Sequence, residues 1–164
     1  MTSSVTWRAW SDLSKTRVVL ALCVAPLLPT ILIGLLVTAP WRLYANADFL
    51  FLWGTGTALA VVWSLFAGGF AILRHGRRRG VIERFYCVSL GAALAFTVPP
   101  LHVAIWTTIV PSGETPGFRI AAIFMSTIVG FTFIPFGLLS GWVFWRIGVR
   151  PAQEPGLQAA AVFD

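Results

Sequence analysis

The chain has 164 residues, 57% of them hydrophobic and 11% charged, with a mean hydropathy of +0.82 and a formal net charge of +6. A water-soluble domain carries about twice that share of charge to cover its surface, so an ordinary soluble fold is excluded. Two cysteines, Cys23 and Cys87, show no Cys-x-x-Cys spacing, and neither a disulfide framework nor a thiolate zinc site is supported.

Residues 1–17 read as a cytoplasmic N-terminal tail. Within it Trp7 and Trp10, or Val5, Trp10 and Leu13, can share a helical face away from Arg8, Asp12 and Lys15. This pattern fits a short interfacial helix. A solvated tail with two anchoring tryptophans is the alternative. Four charge-free stretches follow: 24 residues between Arg17 and Arg42, 25 between Asp48 and Arg74, 29 between Arg84 and Glu114, and 26 between Arg119 and Arg146. A helix crosses the hydrocarbon core with roughly 20 apolar residues at 1.5 Å each. The spacing predicts helices over 18–38, 49–73, 85–107 and 119–145, an all-α four-helix transmembrane domain over 18–145. Isolated strands would leave backbone groups unpaired in lipid. Residues 146–164 are expected to be a disordered cytoplasmic tail.

Ala45-Asn46-Ala47 looks like a signal-peptidase site, but the apolar run Val18–Val37 has 20 residues, whereas a signal h-region has roughly 7–15. The first helix is therefore expected to stay uncleaved. Pro26 and Pro29 in the first helix, Pro99-Pro100 in the third and Pro135 in the fourth predict kinks. Each removes a backbone N–H and frees the carbonyl four residues earlier. On the fourth helix Ser126, Gly130, Gly137 and Gly141 form one small-residue stripe that includes a G-x-x-x-G; Thr57, Ser64 and Gly68 form another on the second. Such stripes let helix backbones approach closely, within the bundle or against a partner. Residues 69–76 resemble residues 141–148, a likeness that a duplicated helical hairpin would produce, as would two independent stop signals of aromatic residues and arginine.

Ten of the twelve basic residues fall in the two tails and the middle loop, and only Arg42 and Arg119 in the other two loops. This bias predicts both termini in the cytoplasm. Trp7, Trp10, Trp142 and Trp145 at the inner boundary, with Trp41 and Trp106 at the outer, agree with it.

Candidate chemistry is sparse. His102 is the one ionisable side chain, cysteines aside, well inside a charge-free stretch. It lies 18 residues beyond Arg84, about 27 Å along a helix, near the outer interface. There a neutral imidazole is expected to bond a carbonyl freed by Pro99 or Pro100. Asp48, with Arg42, Glu114 and Arg119, would complete a polar rim. Arg74, Arg77, Arg78 and Arg79 could hold anionic lipid headgroups at about 1 kcal/mol each, but form too small a surface for nucleic acid. The surrounding glycines lack the lysine and hydroxyl of a phosphate loop. His75 belongs to the opposite boundary from His102, so no haem or zinc set forms within one chain, and no cofactor or catalytic set is expected.

The first functional reading is a non-catalytic accessory or structural subunit, packing against a membrane partner or itself. The second is a small transporter or channel component, and the third an enzyme acting on lipid or quinone. Eleven arginines to one lysine suggest a GC-rich bacterial genome, hence a bacterial inner membrane. Alkaline phosphatase fused at the C-terminus should be inactive and fused near Ser112 active; the reverse pattern would refute the orientation.

Overall fold

A computed structural model describes residues 7–41, 47–109 and 115–150. A short strand β1 (Trp7–Ala9) and a 3-10 turn (Trp10–Asp12) lead into α1 (Lys15–Trp41). Helix α2 (Ala47–Trp63) continues through a π-helical turn (Ser64–Gly68) into α3 (Gly69–Arg79). Strand β2 (Val81–Glu83) precedes α4 (Arg84–Ile109), and α5 (Pro116–Phe144) ends in a second π-helical turn (Trp145–Val149). Four helical rods are long and apolar enough to cross a membrane.

Three of the rods outrun their charge-free stretches, because arginine and lysine stems can lie along apolar surface while their charges reach water; α4 exceeds its own only at Arg84. The second rod runs through Arg79 and stops at Gly80. That residue has a φ of 70° and donates its N–H to the Gly76 carbonyl at 2.8 Å. A left-handed cap of this kind favours glycine. At the other end of this rod, Asp48 falls inside the first turn of α2 and not in the preceding loop.

Helices α4 and α5 are joined along a seam of small residues. A Cβ on Gly137 would lie 2.5 Å from the Gly91 carbonyl oxygen and 2.6 Å from the Ala95 methyl, and one on Gly141 would lie 2.7 Å from the Val88 Cα and clash with the Cys87 carbonyl. At Gly130 a Cβ would lie 2.5 Å from the Phe96 carbonyl oxygen, the group that Pro100 deprives of its helical N–H. A Cα–H group facing that oxygen gives it a weak partner. In a membrane, where lipid offers no hydrophobic drive between helices, a backbone contact of this kind supplies the dispersion energy that holds them together.

The buried core gathers at the basic end of the bundle. Ala21 and Ala25 of α1, Ile72 of α3, Ile82 of β2, Cys87 of α4 and Phe144 of α5 are all closed off there. The N-terminal segment plugs this end as a strand and a turn, not as an interfacial helix or a solvated tail. Strand β1 pairs antiparallel with β2, Arg8 opposite Ile82. Alternation points Ile82 into the core, with no exposure, and Glu83 outward. The Trp10 ring covers Gly76, and Ala21 covers Gly148, so the last glycine of each repeated segment receives the N-terminal part of the chain. Arg8 donates to the Val149 carbonyl at 2.9 Å and Arg17 to the Ile147 carbonyl at 2.6 Å. These are last-turn carbonyls with no intrahelical partner, at the negative end of a helix. That anchorage explains why residues 146–149 are helical where a disordered tail was expected; residues 151–164 lie outside the described residues.

Gly141→Ala and Gly137→Ile should each lower stability by about 1–3 kcal/mol through overpacking, read as the thermal midpoint in detergent. Gly54→Ala, where a Cβ meets nothing within 4 Å, should be neutral or raise stability by up to about 1 kcal/mol. Equal effects at the three positions would place the seam elsewhere.

Candidate functional site

Between the four rods lies a cleft of about 490 Å³. Its wall comes from Pro26, Pro29 and Thr30 of α1, Trp53, Gly56 and Ala60 of α2, Ala95, Val98 and His102 of α4, and Phe133, Phe136 and Ser140 of α5. Two features of the chain open it. Proline on three helices interrupts straight packing, and the small residues Gly56 and Ala60 leave the inner face of α2 without large side chains below Trp53. Ser64, the first residue of the π-helical turn, also lines the cleft. A π-turn inserts an extra residue and is often found where a helix serves a site.

His102 is half-buried at one end of this cleft. Its Nε2 lies 3.3 Å from the Thr55 hydroxyl, which itself donates to the Leu52 carbonyl at 3.0 Å. Both hydrogen bonds form together only when the Thr55 oxygen accepts from Nε2–H, and that is the tautomer the arrangement favours. Nδ1 keeps its lone pair and makes no hydrogen bond among the described residues. It faces Gly56, where a Cβ would stand 3.6 Å away. The imidazole therefore bonds a side chain of α2 and not a carbonyl freed by proline. Deeper along α2, the Trp63 indole donates to Thr97 Oγ1 at 2.9 Å.

The remaining candidates are dispersed. Arg74, Arg77, Arg78 and Arg79 are exposed at the basic end. His75 stacks on Tyr86 with ring centroids 3.7 Å apart; Tyr86 is 16 residues, about 24 Å, from His102 along α4. His75 Nε2 is buried without a hydrogen bond among the described residues. Glu114 and Arg42 lie outside the described residues, as does the side chain of Asp48, so of the outer rim only His102 and Arg119 are placed. Ser126, Gly130, Gly137 and Gly141 are buried on α5; Ser126 and Gly137 also edge the cleft. Among the described residues no three His, Cys, Asp or Glu groups gather as a metal site. Thr55, Gly56 and the α4 side of the seam were not singled out in the sequence. Gly91 and Ala95, four residues apart, carried a small-residue signal that could have marked that side. Comparisons with protein-family models, curated proteins and solved structures found no match.

His102→Gln, which keeps a donor toward Thr55, should leave the thermal midpoint unchanged. His102→Leu should cost only about 0.5–1.5 kcal/mol, one hydrogen bond, because Thr55 retains the Leu52 carbonyl. A larger loss for Leu would mean that the imidazole holds a second buried partner.

Proposed function

We propose that this chain is a small multi-pass protein of the bacterial inner membrane, with both termini in the cytoplasm, that holds or passes an apolar molecule without covalent chemistry of its own. This is the carrier or channel-component reading, and the cleft is the observation that carries it. Ligand pockets have volumes of roughly 300–1,000 Å³, mostly apolar walls and a few convergent polar groups, and the cleft with His102 at one end has that form. The orientation draws on the plugged end of the bundle, where Arg8, Lys15, Arg17, Arg74, Arg77, Arg78, Arg79, Arg84, Arg146 and Arg150 collect. Exposed arginines there suit an anionic headgroup layer.

An accessory subunit that packs on a membrane partner or a second copy is the second reading. The small-residue stripe lies against α4, so a partner would need another surface. The outward face of α5 offers one: Ile120, Phe124 and Phe131, at spacings of four and seven, are 70%, 66% and 60% exposed.

Native mass spectrometry separates the two readings. The purified chain should carry one lipid-sized adduct per protomer, and Ala60→Phe, which fills the cleft while remaining monodisperse, should lose it. A bare chain in both cases, together with a stable dimer or a co-purifying membrane protein lost on Phe124→Ala, would favour the accessory subunit.

A further inference from the structure

The shape of the cleft narrows the class of molecule that fits it. Gly91 and Val103 mark its extent along α4 and are twelve residues apart, roughly 18 Å at the helical rise. About 490 Å³ spread over that length is an elongated space. A cavity of about 150 Å³ takes up one benzene, roughly 25 Å³ per non-hydrogen atom, so this one takes about 20 such atoms. The end of the cleft near the membrane surface holds His102, whose Nδ1 is an acceptor in the tautomer that lets both Thr55 hydrogen bonds form. Gly56 beside it carries no side chain, and a Cβ there would only touch the ring, at 3.6 Å. A group seated there must donate a hydrogen bond.

We infer that the cleft binds a single-chain lipid ending in a hydroxyl donor, a long-chain alcohol or a fatty acid in its neutral form, with the hydroxyl on His102 Nδ1 and the chain directed toward Gly91. The inference rests on the cleft being a ligand site. A rival seat exists at the far end, where the Ser64 and Ser140 hydroxyls line the wall without a hydrogen bond among the described residues. Ser64 is nine residues beyond Thr55, roughly 14 Å deeper. A head seated there would have to be carried that far into the hydrocarbon. Those serines are free to act as donor or acceptor and do not discriminate between head groups as the imidazole does.

The test is competition against tritiated hexadecan-1-ol in nanodiscs holding the full chain, with empty discs subtracted. Hexadecan-1-ol should displace the label about fivefold better than its methyl ether, which lacks the donor, as one hydrogen bond predicts. His102→Phe should retain saturable binding and lose the preference. Thr55→Val, which leaves the imidazole but releases its tautomer, should shrink the preference and guards against a misfolded His102→Phe. Equal displacement by alcohol and ether in the unmodified chain would overturn the inference while leaving the cleft a ligand site. So would a preference that survives His102→Phe and disappears in a Ser64→Ala, Ser140→Ala double variant. No saturable binding of either molecule would remove the ligand-site reading itself.

Discussion

The rest of the bundle depends on the close backbone contact between α4 and α5. In lipid, helices gain nothing by hiding apolar surface from each other, so association falls to dispersion between closely approached backbones and to polar pairs. Here Gly130, Gly137 and Gly141 meet Phe96, Gly91 and Cys87 where no Cβ could fit. Pro100 contributes to the same seam, because the carbonyl it frees at Phe96 is the one that faces Gly130. Proline and glycine stripe are thus parts of one arrangement.

That seam makes the two ends of the molecule unlike. At the basic end the other elements close over it: the N-terminal strand pairs with the loop strand, Ile82 enters the core, and Arg8 and Arg17 bind the last carbonyls of α5. Away from that end, α1 and α2 stand off from the seam, their small residues and prolines do not fill the space, and the cleft remains. Local opening free energy follows buried apolar contact, so the plugged end should be the rigid one and motion of α1 and α2 should concentrate around the cleft. A ligand held there would be gated by those helices.

Much of the architecture was readable from charge alone. Four long gaps without a charged residue permit one structure in a membrane, and the glycine spacing on α5 marked a packing face before any partner was known. Other parts were not readable, for definite reasons. Strand β1 has three residues and gains its pairing only because Gly80 turns the chain back beside it. Residues 146–149 look like the start of a tail until Arg8 and Arg17 are placed on their carbonyls. The cleft was invisible because a wall of Ala95, Val98, Phe133 and Phe136 has the composition of a lipid-facing surface, and only the tertiary arrangement separates the two. His102 stood out in the sequence, yet its partner did not: Thr55 lies 47 positions away on another helix, and no local rule connects them.

The central claim is that the elements packed over the α4–α5 seam close one end of the bundle and leave a cleft beside it at the other. An experimental structure in a lipid environment, at a resolution that resolves acyl chains, tests this most directly. The account predicts the Gly137 and Gly91 backbones in contact and one continuous tube of density from the Gly91 level to His102 Nδ1. Helices α1 and α2 collapsed onto the seam, with their side chains filling that space and no density between them, would contradict it.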